Sequence, residues 1–309
     1  MRIAIEGCCH GELDNIYEAL VHLQNVNSCK IDLLIICGDF QSIRNLADLD
    51  VIACPDKYKS MGTFYRYYNG EKVAPIPTIF IGGNHEASNY LWELYHGGWV
   101  CPNIYFLGFG GVVNFGGLRI GGLTGIYNPA HYDKGFFETQ PFSNKSCRSI
   151  YHVRKYNVYR MAQIRQPLHC FVSHDWPNGI AAYGNVRRLL KLKPYFADEV
   201  RTGTLGSDAN QFLLKRLKPS YWFSAHLHVK FAAVYPHEPE HPVTRFLALD
   251  KCLPRRDFIQ VMDIPEVEGS GPYELHYDEE WLAIMRATHE YMSLAYNQKS
   301  LPDDATIRA

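Results

Sequence analysis

The sequence predicts an α/β fold in which two mixed β-sheets pack face to face and carry helices on their outer sides. Three observations carry this prediction. Short apolar runs, "RIAIE", "DLLIIC", "PTIFIG", "IYFLG", "HCFVS", "YWFSA" and "DFIQVMDI", recur along the chain and have the length of buried strands. The first run is followed by an apolar stripe at helical spacing, Ile16, Ala19, Leu20 and Leu23, and strand–helix–strand order marks a layered α/β domain. The stretch "GVVNFGGLRIGGLTGI" sets two β runs around Gly116-Gly117, a hairpin signal. Antiparallel pairing is thereby mixed with parallel pairing, which two packed sheets accommodate better than one open parallel sheet.

The remaining segments follow from composition. Residues 127–165 lack a clear core periodicity and carry many Tyr and basic residues, which points to a long functional insertion. After Pro265 the chain turns acidic and polar. The main domain is therefore expected over 1–264 and a C-terminal helical extension over 265–309. Within that extension "DEEWLAIMRATHEYMSLAY" predicts one amphipathic helix, and "NQKSLPDDATIRA" a frayed end.

The chain has 309 residues, enough to bury a sizeable core, with 47% hydrophobic and 20% charged residues. No apolar run reaches the roughly 20 residues that span a bilayer. "MRIAIEGCCHGE" is too short an apolar stretch for a secretory signal, so export and membrane insertion are not expected. Nine cysteines is an odd number and no CxxC pair occurs, which argues for reduced thiols and against a zinc ribbon. The formal net charge of −1 argues against bulk electrostatic binding of nucleic acid and leaves room for a local basic patch.

Polar residues that can hold a metal recur just beyond the strand runs. Cys8 and His10 follow "RIAIE", Asp39 follows "LLIICG", and Asn84-His85 follows "TIFIGG". His174 follows "CFVS", and His226 and His228 follow "YWFSA". Strand ends on one edge are where α/β sheets place their chemistry. One histidine there is ordinarily a structural hydrogen bond; five stations in the same relative position point to a site.

Read as Cys8-x-His10, Gly38-Asp39, Gly83-Asn84-His85-Glu86, Ser173-His174 and Ala225-His226-x-His228, the series resembles the calcineurin-like metallophosphoesterase superfamily over roughly residues 1–265. That superfamily carries DxH, GD, GNH(E/D), a lone His and GHxH, so Cys8 stands for Asp and Ala225 for Gly. The resemblance implies a two-metal phosphoesterase. One divalent ion takes Cys8, His10, Asp39 and His228; the other takes Asp39, Asn84, His174 and His226, with Asp39 shared. His85 stays off the metals and protonates the leaving oxygen or stabilises its charge. A thiolate favours zinc or ferrous iron over harder ions. Two readings of Cys8 stand: a live ligand that biases the first position towards Fe2+ or Zn2+, with Mn2+ as the harder alternative, or a vestige at an empty position.

Further stretches narrow the resemblance to the RNA lariat-debranching family: "GCCHGELD", "CGDFQSIRN", "YRYYNGEKVAPIPTIFIGGNHEASN", "GGWVCPNIYFLG", "RSIYHVR", "SHDWP" and "YWFSAHLHVKFAA". In that family a Cys replaces the superfamily's Asp. The resemblance implies hydrolysis of the 2′–5′ phosphodiester at the branchpoint of excised intron lariats, in the nucleus with the cytoplasm as a further site, and no obligate partner protein can be inferred from it. A branched-RNA substrate must be gripped. From Thr139 to His174 there is no Asp or Glu, and the window holds Lys145, Arg148, Tyr151, Arg154, Lys155, Tyr159 and Arg160. Cations suit phosphates and rings suit unstacked bases; a solvated basic helix is the plain alternative. "TFYRYYNGEK" is a second candidate surface whose tyrosines equally suit a core, and "RRLLKLK" a helix face with a basic rim. Two rival functions remain: a phosphatase of phosphoproteins or nucleotides, and an inactive RNA-binding scaffold.

Overall fold

The computed structural model describes residues 1–238, 242–267 and 271–303. Its strands, in chain order, are β1 (Arg2–Glu6), β2 (Leu33–Ile36), β3 (Thr78–Phe80), β4 (Gly98–Cys101), β5 (Ile104–Phe106), β6 (Gly110–Phe115) and β7 (Leu118–Leu123). They continue as β8 (Cys170–Ser173), β9 (Tyr221–Ser224), β10 (Phe231–Tyr235), β11 (Thr244–Ala248), β12 (Ile259–Asp263) and β13 (Leu275–Tyr277). A six-stranded sheet runs β12-β1-β2-β3-β5-β4 and a seven-stranded sheet runs β10-β11-β9-β8-β7-β6-β13. Neighbours from β1 to β5 in the first sheet, and from β11 to β7 in the second, pair parallel, whereas β12, β4, β10, β6 and β13 pair antiparallel. The sheets are mixed, as expected. The hairpin between β6 and β7 turns at Gly116 and Gly117, both in the left-handed region that a tight turn requires.

Alternation along the strands builds three layers of core. Ile3 and Ile5 of β1, Leu33 and Ile35 of β2, Ile120 of β7 and Val172 of β8 meet between the sheets. Ala4, Leu34, Ile36 and Phe80 point the other way, onto Leu13, Ile16 and Leu20 of the helix Leu13–Asn27. Leu123, Phe171 and Trp222 face outward from the second sheet onto Met161, Leu213 and Trp281. Strands buried on both faces read as unbroken apolar runs, which is why they were visible in the sequence.

Three segments differ from expectation. Residues 127–165 are more than a surface insertion: Phe136, Ile150 and Tyr156 join the first outer core, and Val153, Val158 and Met161 the second. The C-terminal helix is shorter than its pattern, Glu279–Thr288 followed by one tight turn, His289–Tyr291. Beyond it the backbone turns to pair with the insertion, where Phe136 N–H donates to Ser293 O and Gly135 N–H to Tyr296 O. The tail is docked, with Asn297 bridged to Lys134 and Leu301 packed on the first core; residues 304–309 of the expected frayed end lie outside the described residues. Among the described residues no helix is long and apolar enough to cross a membrane.

Candidate metal centre

The carboxyl ends of five parallel strands converge. β1 leads to Cys8 and His10, β2 to Asp39, β3 to Asn84 and His85, β8 to His174, and β9 to His226 and His228. The backbone at these stations is costly: His10, Asp39, His226 and His228 adopt φ of 46°, 46°, 59° and 50°. Non-glycine residues in that region cost of order 1–3 kcal/mol each and persist where function requires the geometry. Glycine is required beside them. A Cβ on Gly83 would collide with Asp39 Oδ1, and one on Gly38 with the His174 ring.

Ligand atoms of Cys8, His10, Asp39 and His228 all lie within 4.8 Å of one another. This is the four-residue set expected of the first metal position. His10 Nε2 is 3.3 Å from His228 Nε2 and 3.6 Å from Asp39 Oδ2. On the other side of Asp39, His174 Nε2 approaches Oδ1 at 3.4 Å, and the His174 and His226 rings stand 4.9 Å apart. Asn84 Oδ1 and His174 Nε2 are buried without a hydrogen-bond partner. Buried acceptors left without a hydrogen-bond partner are what a cation would satisfy. The His174 tautomer is set by its Nδ1, 2.8 Å from Cys37 O, which leaves Nε2 free to ligate.

The electrostatics agree. Burial alone would raise the Asp39 pKa, but His174, His10 and His85 outweigh it and hold the carboxylate well below its usual range. Burial, reinforced by His174 for His226 and by His10 for His228, drives both imidazoles down to about 3, the neutral form in which an imidazole can hold a metal. Burial and the nearby Asp39 and Glu6 carboxyls push the Cys8 thiol well up. A cation beside Cys8 is the agent that would deprotonate it. The Cys8 sulfur already accepts the His226 N–H at 3.2 Å, which aims it into the site.

His85 is held next to the centre and outside both ligand sets. Its N–H donates to Asp39 Oδ1 at 2.8 Å, and its half-buried ring stands 5.6 Å from the His10 ring. Glu86, which the sequence presented only as a motif letter, fastens the loops together. Its carboxylate accepts N–H groups of Phe40, Gln41 and Gly83, joining the Asp39 loop to the Asn84 loop. Burial and the Asp39 charge push it up to about 8. An acid in the midst of an apolar and glycine-rich turn was the signal available for it.

The candidate RNA contacts divide. Lys145 and Arg148 are exposed, and the half-buried Tyr151 is close enough to the centre to feel the Asp39 charge. Lys155 is exposed but paired with Asp133 at 3.0 Å, and Tyr159 is half-buried. Arg154 and Arg160 are corrections, since both side chains are wholly buried, at 0% exposure. Arg154 bonds to Glu138 at 2.5 Å and to the carbonyls of His131 and Ser149. Arg160 sits against the rings of Tyr95, Tyr156 and Trp281 and donates to Asn157 Oδ1. Both hold the insertion to the core and cannot touch RNA. The "TFYRYYNGEK" surface is likewise spoken for, because Arg66, Tyr67 and Lys72 all close on the Asp14 carboxylate.

Residues 1–230 match the family model for calcineurin-like phosphoesterases, and residues 241–309 match that for the C-terminal domain of lariat debranching enzymes. The chain is 54% identical over its full length to the lariat debranching enzyme of Arabidopsis thaliana, covering 73% of that protein. It is 55% identical to the Mus musculus enzyme and 53% identical to the Homo sapiens enzyme, over 98% and 100% of this chain. It spans 56% and 58% of the length of those two mammalian proteins.

Proposed function

The chain belongs to the calcineurin-like phosphoesterases and, within them, to the lariat debranching enzymes, and from that premise we propose that it hydrolyses the 2′–5′ phosphodiester at the branchpoint of excised intron lariats. The observation that carries the reading is the ring of Cys8, His10, Asp39 and His228. It is the superfamily's metal position with a thiol where a carboxylate is usual, and this letter separates debranching enzymes from other phosphoesterases.

The donor set fits two divalent cations. Cys8, His10, Asp39 and His228 would hold one; Asp39, Asn84, His174 and His226 would hold the other. When bound, such ions neutralise charge on the phosphate and acidify the attacking water. The protein does the rest. Asp39, shared between the sets and fixed by the His85 N–H, sets their relation. The neutral imidazoles of His226 and His228 would ligate without first losing a proton. His85 gives a proton to the departing 2′-oxygen as the P–O2′ bond breaks. Water supplies the new P–O bond, so the products are a linear RNA with a free 2′-hydroxyl and a 5′-phosphate on the released end. At a branchpoint the neighbouring 3′-oxygen is already esterified and cannot act as an internal nucleophile, so an external water is required.

The soft Cys8 donor makes ferrous iron or zinc the native occupant of the first position, with manganese a weaker substitute. Lys145, Arg148 and Tyr151 receive the branched RNA. Excised introns place this work in the nucleus. A synthetic 2′–5′ branched oligonucleotide and a phosphopeptide, offered to protein purified without added metal or chelator and assayed for metal content, test the reading. Debranching with the phosphopeptide untouched is expected; the reverse preference makes the protein a phosphatase.

A further inference from the structure

His228 lines the inner end of an open cleft that the hydrolytic chemistry leaves unused. Two overlapping cavities of about 230 and 320 Å³ form it, sharing Arg188, Leu192, Lys230 and Asp257. One wall is the helix Val186–Leu192 with the following Lys193, and the other is the segment 250–257. Five cations line it against two carboxylates, Asp250 and Asp257. Arg256 is paired with Asp250 at 3.3 Å, and Lys230 donates to Gln260 at 3.0 Å. Among the described residues, Arg188, Lys193 and Arg255 make no ion pair, and Arg188 and Arg255 are exposed.

A solvated basic rim would explain one of these segments. It does not explain their convergence from three separate stretches of chain on a concave surface that ends at a metal ligand. The 250–257 wall is hung on the metal centre itself. Cys8 N–H donates to Asp250 O at 3.3 Å and Cys252 N–H to Cys8 O at 3.2 Å. A side chain on Gly7 would collide with Asp250 O. Lys251, in the same wall, forms a parallel β-bridge with Cys8. A charge in the cleft is thereby kept in register with the Cys8–His228 position. The topology sets this cleft apart from the insertion. The cleft lies by β10 and β12, the edge strands of their sheets. The insertion follows β7, and its base packs on the loop after β3, where Gly125 N–H donates to Gly82 O. The metal centre lies between them.

A branch nucleotide sends out three RNA strands, and the insertion on one side of the centre leaves the strand on the other side unheld. We propose that the cleft between the Val186–Leu192 helix and the 250–257 segment is a phosphate track for the RNA strand leaving the branch on the Cys8–His228 side. This rests on the debranching reading above and adds a second RNA-binding surface to it.

The test uses the full chain with Arg188, Lys193 and Arg255 all changed to Ala. Two substrates are compared: a branched RNA with arms of about ten nucleotides, within the usual span of single-strand sites, and a branched trinucleotide with no further arm. On the long substrate KM should rise about tenfold with kcat unchanged, and the slope of log(kcat/KM) against log salt should flatten by about 2, near 0.7 per lost phosphate contact. On the trinucleotide both constants should match the wild type. Unchanged KM on the long substrate overturns the proposal, and so does an equal loss on both, which would make the cleft a support of the metal centre. Wild-type protein that leaves both branched substrates intact overturns the debranching reading itself, and the track with it.

Discussion

Arg154 and His85 show how differently two cationic-type residues in one chain are used. Arg154 looked like an RNA contact because no acid occurs from Thr139 to His174. Its counterion, Glu138, lies one residue outside that window, and the pair is sealed in the interior. Arg154→Ala should therefore cost about 3–5 kcal/mol of stability in urea unfolding, because the partner charge is left buried and unpaired. The salt dependence of RNA binding, measured on the folded fraction, should not change. His85 has the opposite character, half-buried and beside the ligands yet outside both sets. His85→Ala should slow single-turnover hydrolysis by about 100-fold or more, the scale of lost general-acid catalysis, while branched RNA still binds. A rate near wild type would remove the role. The proposed metal preference rests on Cys8. Cys8→Ser should lower metal content and rate, and Cys8→Asp should shift the preference from zinc and iron(II) towards manganese. Equal rates and equal metal preference in wild type and Cys8→Ser would make the first position a vestige.

At the scale of elements, the site is a set of loops hung on strand ends, and the last helix is tied in at its first turn by Asp278 and Glu280, which both pair with Arg119. Asp278 caps the helix Glu279–Thr288 by accepting the Trp281 N–H, and it also takes both sides of the Arg119 guanidinium of β7. Burial raises the Asp278 pKa, but Arg119 more than offsets it, so the carboxyl lies below its ordinary value of 3.8. Its stabilisation is present above the unfolded pKa near 4 and is lost as pH falls through the lower folded value. Asp278→Asn should destabilise the protein by about 1–2 kcal/mol near neutral pH, because Glu280 still pairs with Arg119 at 2.8 Å. Denaturant titrations at falling pH should show the gap between the two proteins closing below about pH 4. A gap that stays constant with pH would mean that shape, not charge, gives Asp278 its worth.

Taken whole, the molecule sets its chemistry between two basic surfaces that leave the net charge near zero. The insertion supplies one of them. With Arg154 and Arg160 withdrawn to the interior, Lys145 and Arg148 are its exposed cations in the predicted set apart from Lys155, which Asp133 already occupies. Neutralising Lys145 and Arg148 together should weaken binding of branched RNA and flatten its salt dependence by about 1.4, two contacts' worth of released counterions. A small chromogenic phosphodiester should be hydrolysed as before. An equal loss on both substrates would assign the two residues to the fold.

Strands β1, β2, β3, β5, β8, β9 and β12, the β6–β7 hairpin at Gly116-Gly117 and the order of the ligand stations were legible in the sequence, whereas β4, β10, β11 and β13 were not. A doubly buried strand must be apolar throughout, and a residue just past its end must be polar if it serves chemistry. The same logic made Cys8, His10, Asp39, Asn84, His174, His226 and His228 readable as candidates, grouped just past the ends of five strands. What local pattern does not carry is which charges meet. Whether Arg160 faces water or three aromatic rings depends on Tyr95 and Trp281, far away in the chain. The docking of residues 293–296 on the insertion overrode a helical pattern that was sound by itself. The cleft of Arg188, Lys193 and Arg255 exists only because two distant segments pack beside His228. Burial and pairing are properties of the assembled fold, because an ion's energy is set by what surrounds it and those surroundings come from elsewhere in the chain.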